Sequence, residues 1–191
     1  MRSASSSSNI NNVLAIFAVV CLLTTSFAVA AHGQAEDQQD PPQEQKPAKA
    51  PGSGSTPKAW LDAHNEARAE VGVPPLVWNE SLVEYAQKYA DSRYEKCEFE
   101  HSMGPYGENL AMNYEEMEGS DAVKFWCTEK ADYDHATNTC RTGEWECGHY
   151  TQVVARKTIS VGCAKAKCRN NWMFVICSYY PVGNIEGEKP Y

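Results

Sequence analysis

Cys147-Gly148-His149-Tyr150-Thr151-Gln152-Val153-Val154 is the stretch of this sequence that decides the fold. It has an upstream partner in residues 101–109, which read His-Ser-Met-Gly-Pro-Tyr-Gly-Glu-Asn. Together the two segments bring two histidines and a glutamate to a small, cysteine-rich chain. Such side chains serve as metal ligands, as acid–base groups or as hydrogen-bonding supports. We therefore expect the two segments to meet at a site.

The first 30 residues have the features of a secretory signal peptide. Arg2 is the only charge, residues 13–30 are mostly apolar, and Ala28-Val29-Ala30 is a small-x-small cleavage pattern. A transmembrane anchor is the alternative interpretation. The apolar run is only marginally long enough to span a bilayer, and no stop-transfer charges follow it. We expect export, and not an integral membrane protein.

Cysteine usage agrees with export. Cleavage after residue 30 removes Cys21 and leaves seven of the eight cysteines, all in the C-terminal half of the chain. In an oxidising compartment this predicts a disulfide framework with one cysteine left over. Zinc–thiolate sites are the alternative, but the chain has no Cys-x2-Cys pair, and export disfavours free thiolates.

The charge balance excludes two classes of partner. Without Arg2 the chain carries 16 basic and 25 acidic residues, a net charge of −9. Nucleic acids and anionic membranes require a basic face. We therefore expect neither nucleic acid nor an anionic membrane as the main partner.

Composition divides the mature chain into a linker and one domain. Residues 31–56 are rich in Gln, Pro, Ala, Gly and Ser, with almost no bulky apolar side chain. Such a segment cannot bury enough surface to offset its ordering entropy, so we expect a disordered linker. Residues 57–191 are enough for one core, and that core is small enough to gain from disulfides.

Apolar periodicity predicts four helices in this domain. The first begins at Thr56-Pro57 and carries His64 on its apolar stripe, where a buried structural histidine is favoured over a ligand. The second opens at Asn79, the third begins near Ser120, and a short fourth covers residues 150–154.

Two β-rich segments follow the helices. Residues 161–168 and 172–180 are separated by Asn170-Asn171 and predict a hairpin. Helices first and strands later predict an α+β fold, with the helices packed on a small antiparallel sheet.

Five blocks of the sequence, taken in order, form a pattern of high specificity. They are Ala63-His64-Asn65-Glu66-Ala67-Arg68, Tyr106-Gly107-Glu108-Asn109-Leu110, Glu129-Lys130 with Tyr133, residues 147–154, and Pro181-Val182-Gly183-Asn184 with the closing Gly187-Glu188-Lys189-Pro190-Tyr191. With these blocks, the chain from Trp60 to Tyr191 resembles the plant pathogenesis-related protein 1 family of the CAP superfamily. The resemblance implies a three-layer α-β-α sandwich, with the sheet between helical layers.

The resemblance also implies how the cysteines pair. Carried over by position, the pairs are Cys97 with Cys168, Cys140 with Cys147, and Cys163 with Cys177. Cys127 has no counterpart in the family pattern and is the odd thiol. It follows Trp126 on the third predicted helix, where burial as a small hydrophobe and exposure are both open.

Two further positions depart from the family pattern. Ala155 stands where a tryptophan usually follows Gln-Val-Val, which removes bulk near the expected site and changes what fits there. Ser178 stands where the usual Cys-Asn-Tyr has asparagine. This departure puts a signature position of the family in doubt, although a serine can still form a hydrogen bond.

The family resemblance implies a site of four residues, His101, Glu108, Glu129 and His149. Two imidazoles and two carboxylates suit a borderline cation such as zinc, with water completing the shell. We expect His101 and His149 to lie within about 5 Å of one another. The alternative is a hydrogen-bonded network that joins the loops to the third helix. His135 lies in a polar loop, where we expect it to be solvated.

Catalysis is the minor hypothesis, in the form of a secreted hydrolase. Ser102 follows His101 directly, but neighbouring residues rarely present a nucleophile and its base to one another. The sequence has neither a Gly-x-Ser-x-Gly elbow nor a His-Glu-x-x-His motif. We expect no catalytic residues and no required cofactor.

The resemblance implies a secreted defence protein of the plant extracellular space, active against fungi or oomycetes through sterol or other lipid binding. It also implies that residues 181–191 are a releasable signalling peptide, read by a receptor after cleavage between Tyr180 and Pro181. Because Cys177 should anchor the last strand, we expect order to fade beyond it and leave an accessible tail. A strap packed over the sheet is the alternative for this segment. A developmental or reproductive recognition protein of the same family is the alternative function.

Overall fold

The structure is a computed structural model that describes residues 53–143 and 146–191. The predicted signal peptide, residues 1–30, and most of the predicted linker, residues 31–56, lie outside the described residues, so both stay predictions. Within the described ranges, no helix is both long enough and apolar enough to cross a membrane.

Two local caps fix where the first helices begin. The Thr56 hydroxyl accepts a hydrogen bond from the Ala59 amide at 3.2 Å and caps the first helix. The Asn79 side chain accepts from the Ser81 and Leu82 amides and caps the second. Both starts were predicted from sequence, because capping depends on neighbouring residues only. The helices are α1 (Pro57–Glu70), α2 (Glu80–Ser92), α3 (Gly119–Thr128) and α4 (Gly148–Val153), and short 3-10 turns cover Ser53–Ser55 and Glu129–Ala131.

Six strands form one four-stranded sheet and one small hairpin. The strands are β1 (Val77–Trp78), β2 (Gly107–Tyr114), β3 (Tyr133–Asp134), β4 (Thr139–Cys140), β5 (Ser160–Lys167) and β6 (Trp172–Tyr180). The sheet order is β1-β5-β6-β2, and β3 pairs with β4 separately. The predicted hairpin is confirmed as β5–β6, while β2, which the sequence analysis did not identify, pairs antiparallel with β6. The two-residue β1 adds a parallel pairing to β5.

Helices cover both faces of the sheet, so the fold is the expected α-β-α sandwich. Successive residues of a strand face opposite sides, and β6 divides its apolar side chains accordingly. Phe174 and Ile176 pack on the α2 side, whereas Val175 and Tyr179 belong to the core that includes residues of α1, α3 and α4. On the α2 side, Gly162 lets helix and sheet approach closely, since a Cβ there would lie 2.3 Å from the Val83 amide nitrogen.

Three disulfides fasten this sandwich. Cys97 pairs with Cys168, Cys140 with Cys147, and Cys163 with Cys177, which are the pairs that the resemblance implied. They close loops of different length, with sequence separations of 71, 7 and 14 residues. A disulfide of this kind contributes about 2–4 kcal/mol, in large part by restricting the unfolded chain. The remaining thiol of the described residues, Cys127, is half-buried, and burial raises its pKa to about 11.

A buried arginine at the end of α1 connects three segments. The Arg68 guanidinium is fully shielded from solvent and donates to four backbone carbonyls. Its Nε bonds Pro74 at 2.7 Å, one Nη bonds Val153 and Ala155, each at 2.9 Å, and the other bonds Thr158 at 3.0 Å. Burial lowers its pKa to about 10, so the group stays charged at neutral pH. The end of α4 and the approach to β5 are thereby held against α1.

The chain beyond Cys177 is not a loose tail, so the expectation that order fades there was wrong. β6 continues to Tyr180, and residues 181–191, which we call the C-terminal strap, fold back over the domain. The Gly183 amide donates to the Gln152 side-chain oxygen at 3.0 Å. The strap alternative is therefore the observed arrangement, because side chains distant in sequence anchor this segment.

The far end of the strap is anchored as firmly as the near end. The Arg156 amide donates to the Pro190 carbonyl at 2.7 Å. The ring of His135 stacks on that of Tyr191, with centroids 4.6 Å apart, and His135 Nε2 donates to the Tyr191 carbonyl at 2.7 Å. His135, expected to be solvated, is exposed but has this specific partner.

Candidate functional site

Glu129 and His149 form the first pair of the predicted four-residue site. The 3-10 turn after α3 places Glu129 at the start of α4, where the first amides of a helix lack intrahelical partners. Its Oε2 accepts from the amides of His149 and Tyr150 at 2.9 and 3.2 Å, and its Oε1 accepts from His149 Nδ1 at 2.6 Å. The carboxylate thus caps α4 and sets the tautomer, which leaves the lone pair of His149 Nε2 free.

Trp126 holds the ring of His149, and Asn109 holds its backbone. The ring stacks on Trp126, with 6.2 Å between centroids and 14° between planes, and Trp126 is itself held by a bond from Nε1 to the Leu110 carbonyl. The Asn109 amide group donates to the His149 carbonyl at 3.0 Å. Only 30% of the His149 side chain is exposed, so the orientation of the ring is set by packing as well as by Glu129.

His101 and Glu108 form the second pair, and it is looser. Glu108 is 5% exposed, His101 is 54% exposed, and Nδ1 lies 3.6 Å from the carboxylate. The Ser102 amide and hydroxyl both donate to Glu108, and the Tyr85 hydroxyl lies 2.8 Å from the Ser102 hydroxyl. Burial raises the pKa of Glu108, but the hydrogen bonds from His101 and Ser102 outweigh it and leave that pKa lowered. The carboxylate is therefore ionised at neutral pH.

The strand β2 joins the two pairs at consecutive residues, because Asn109 bonds His149 and Glu108 belongs to the second pair. Glu108 and Asn109 are consecutive in β2, so their side chains point to opposite sides. Asn109 reaches Tyr179 and His149 on the side of α3 and α4, and Glu108 meets Ser102 on the side of α2. The four residues are thus arranged as two pairs at the start of an edge strand.

In the described part of the chain, the tightest cluster of metal-binding side-chain types lies elsewhere. Among the described residues, the group of three whose ligand atoms all lie within 4.8 Å of one another is His64, Cys163 and Cys177. The two sulfurs of that group form a disulfide and are not thiolate ligands. The chemistry of His101, Glu108, Glu129 and His149 still suits zinc, since imidazole nitrogen and carboxylate oxygen are both zinc ligands.

Behind the site lies a buried hydrogen-bond chain that sequence reasoning found only in part. His64 is buried, as predicted; its Nδ1 donates to the Trp60 carbonyl at 2.8 Å and its Nε2 accepts from the Tyr179 hydroxyl at 2.9 Å. Asn109 donates to the same hydroxyl at 3.2 Å and to His149, which completes the connection to the site. Asn109 was visible in the upstream segment beside Glu108, but nothing local indicated its partner Tyr179.

Ser178 is one of the departures from the family pattern. It is fully buried, and within the described part of the chain its hydroxyl has no hydrogen-bond partner. It lies opposite Glu108 in the register of β2 and β6. An unpaired buried hydroxyl costs about 1–3 kcal/mol, so this departure from the family pattern carries an energetic cost.

The predicted cleavage junction is part of the folded sheet. The Tyr180 carbonyl accepts from the Ile159 amide at 3.0 Å and from the Ser160 hydroxyl at 3.3 Å. The Pro181 carbonyl accepts from the Thr158 hydroxyl at 2.8 Å. A protease must therefore open the end of the β5–β6 ladder before it reaches this bond.

Ser102 is not arranged as the nucleophile of a hydrolase. Its hydroxyl donates to the Glu108 carboxylate and contacts the Tyr85 hydroxyl. A serine nucleophile needs an imidazole positioned to take its proton, whereas the Ser102 hydroxyl is engaged by a carboxylate, a phenol and the Gly104 amide.

Comparisons with known proteins agree with this architecture. The family model described as the cysteine-rich secretory protein family, CAP, matches residues 61–179. The chain is 49% identical over 139 residues to pathogenesis-related protein 1A1 of Solanum lycopersicum, covering 69% of this chain and 79% of the relative. It is 50% identical over 133 residues to pathogenesis-related protein 1A of Nicotiana tabacum, with the same two shares, 69% and 79%. The solved structure of venom allergen-like protein 4 from Schistosoma mansoni matches with a TM-score of 0.55 and 28% identity, covering 70% of this chain and 92% of the other.

The buried His64 predicts a specific loss of stability in acid. Burial lowers its pKa from 6.5 to about 4, although the bond to the Trp60 carbonyl opposes this shift. The unfolded chain therefore takes up the proton first, and the stability present above pH 6.5 is lost as the pH falls towards 4. The shift corresponds to about 3 kcal/mol. Urea unfolding at closely spaced pH values measures this loss.

A pair of variants isolates the effect. His64→Gln keeps a donor and an acceptor but does not titrate, so its stability should change less between pH 6.5 and 4. His135→Gln, at an exposed position, should follow the wild type. Glu108 adds a separate loss only below about pH 4.5, the ordinary pKa of its carboxyl group. If His64→Gln lost as much stability between pH 6.5 and 4 as the wild type, the assignment of this loss to His64 would be wrong.

Proposed function

The chain belongs to the cysteine-rich secretory protein family, CAP, as a relative of the plant pathogenesis-related 1 proteins, and from this premise we propose that it is an extracellular defence protein of the plant apoplast. The observation that supports this proposal is the sequence identity of 49% and 50% with two plant relatives that are named pathogenesis-related proteins. The three disulfides support an oxidising compartment. We propose a secreted chain with a signal peptide at 1–30, a linker at 31–56 and the CAP domain at 57–191.

We propose that it acts by binding rather than by catalysis, with sterols or related lipids as ligands and fungi or oomycetes as targets. Apolar side chains are exposed at one end of the sheet, with Val77, Ile159 and Tyr180 at 60%, 58% and 53% exposure. Backbone hydrogen bonds join these residues in sequence, from the Val77 amide to Ile159 and from the Ile159 amide to Tyr180. Tyr106 extends this surface by an edge-to-face contact with Tyr180. An apolar surface of this kind supports lipid binding.

The test joins binding with growth inhibition. The purified mature protein should bind a radiolabelled sterol saturably and inhibit growth of a sterol-dependent oomycete. Protein loaded with sterol beforehand should lose most of its inhibition, because its binding surface is already occupied. Ile159→Glu should weaken both activities, whereas Phe125→Glu, at an exposed position on α3, should not.

The outcomes separate the parts of the proposal. Inhibition that survives loading with sterol would keep the defence role and reject the sterol mechanism. A protein that neither binds sterol nor inhibits growth would reject both and favour a developmental or recognition role, which tissue expression would then test.

We further propose that His101, Glu108, Glu129 and His149 bind zinc weakly. The capped tautomer of His149 presents a free Nε2, and the exposed His101 is free to adjust. Bound zinc would supply a positive charge, held by the imidazoles of His101 and His149 and the carboxylates of Glu108 and Glu129. Protein residues keep their present roles: Glu129 orients His149, and Ser102 holds Glu108.

Calorimetry with zinc tests this proposal. Wild type and His135→Ala should bind zinc alike, and His149→Ala should lose the binding. Binding should weaken as the pH falls, because metal binding releases protons from its ligands. Equal zinc affinity in wild type and His149→Ala would leave the hydrogen-bonded network as the role of these residues.

We also propose that the strap is a precursor of a defence-signalling peptide recognised by a receptor. Beyond Tyr180 the strap has no strand and no disulfide, so after cleavage only hydrogen bonds, ion pairs and side-chain contacts retain it. Cleavage between Tyr180 and Pro181 would therefore leave a nicked protein from which the peptide dissociates.

Targeted mass spectrometry of extracellular fluid tests peptide release. After immune stimulation, a free peptide running from Pro181 to Tyr191 should appear. The synthetic peptide should induce defence responses, and a scrambled peptide of the same composition should not. Detection of intact protein alone, together with an inert synthetic peptide, would show that the segment is a structural strap.

A further inference from the structure

A cavity of about 560 Å³ lies between the C-terminal strap and the body of the domain. Sites for small molecules in proteins are typically about 300–1,000 Å³ and mostly apolar, with few polar groups. This volume falls inside that range. The cavity is separate from the four-residue site, since none of His101, Glu108, Glu129 and His149 lines it.

Three different parts of the fold form its walls. One wall is the β3–β4 hairpin with Tyr133 and the disulfide between Cys140 and Cys147. The second is α4 and the residues after it, and the third is the strap itself, including Ile185 and Tyr191. Protein interiors are normally close-packed. The strap is bonded to the body at Gly183, Asn184, Glu188 and Pro190 and still leaves this cavity beneath it.

The small side chain of Ala155 leaves space in the cavity. Ala155 is 4% exposed, and it lines the cavity with only a methyl group. The strap approaches it at Gly183, where an added Cβ would lie 2.7 Å from the Ala155 Cβ. A large side chain at position 155, such as the tryptophan of the family pattern, would compete for this space.

Several charged and polar groups of the walls already have partners within the protein. The Thr151 hydroxyl donates to Asn184 at 2.7 Å, and the Tyr133 hydroxyl donates to the Asn138 side chain at 2.9 Å. At the rim, Lys157 and Glu188 form an ion pair at 2.7 Å. A charged ligand would have to replace these contacts and lose its own hydration. The lining therefore favours a neutral molecule.

We propose that this cavity binds a small, neutral, mainly apolar molecule with one or two hydrogen-bonding groups, and that the bound molecule holds the strap in place. The strap supplies one wall, so a ligand contacts strap and body at once and stabilises their association. Occupancy would then oppose both strap opening and loss of the strap after cleavage. The proposal goes beyond sterol binding and peptide signalling and does not depend on either.

The neutral fluorescent amine N-phenyl-1-naphthylamine is a suitable probe for the intact mature protein. Wild type should bind it saturably, with increased probe fluorescence. Ala155→Trp should bind it on the order of tenfold more weakly, because the indole fills the cavity. Ala69→Trp makes the same change at an exposed position of α1 and should bind like the wild type. Ile185 is partly exposed and also lines the cavity. Ile185→Trp should therefore weaken probe binding too, and it replaces Ala155→Trp in the test if that variant does not fold.

Hydrogen exchange tests the effect on the strap. Saturating probe should slow amide exchange in residues 182–190 of the wild type and leave that of folded Ala155→Trp unchanged. Absence of saturable binding, or equal binding by wild type and the folded cavity variants, would overturn the site. Binding without slower exchange would overturn its control of the strap. Sterol binding that persists in Ala155→Trp would place sterol elsewhere and leave the proposed function intact.

Discussion

The Arg68 guanidinium bonds four carbonyls from three segments and fixes the end of α4, the approach to β5 and, through Thr158, the start of the strap. It holds the end of α4 through Val153 and Ala155, and the approach to β5 through Thr158. The Thr158 hydroxyl in turn holds Pro181, the first residue of the strap. Loss of the guanidinium would leave buried carbonyls unpaired, at about 1–3 kcal/mol each. The Arg68 side chain thus connects α1, through Thr158, to the start of the C-terminal strap.

The features set by neighbouring residues were predictable from sequence. Thr56 and Asn79 cap the first two helices as expected, and Asn170-Asn171 mark the turn of the β5–β6 hairpin. β2 was missed because Gly-Glu-Asn-Leu-Ala-Met-Asn-Tyr contains no β-branched residue, and the strand forms by pairing with β6. The strap was misjudged for a related reason, since its anchors Gln152 and Arg156 lie about thirty residues away in the sequence.

The arrangement of the four-residue site was likewise predictable from sequence only in part. The family resemblance named four residues, but not that they form two histidine–glutamate pairs joined by β2. That arrangement depends on which residues of β2 face which side, and a shift of one residue would exchange Glu108 and Asn109. The sequence pattern did not identify β2 as a strand, so it could not indicate which of its side chains face which side of the sheet. The buried status of His64 was predicted, because an apolar helical stripe is a local signal.

The double role of Glu129 bears on how such a site changes over generations. Because its carboxylate caps α4 as well as orienting His149, selection for folding alone would retain this glutamate after every activity at the site had disappeared. His101 is under no such constraint, since it is 54% exposed and makes only a 3.6 Å contact with Glu108. Genetic drift should therefore remove His101 first. If the site has a role beyond folding, the retention of His101 would show it, because the fold alone explains the Glu129–His149 pair.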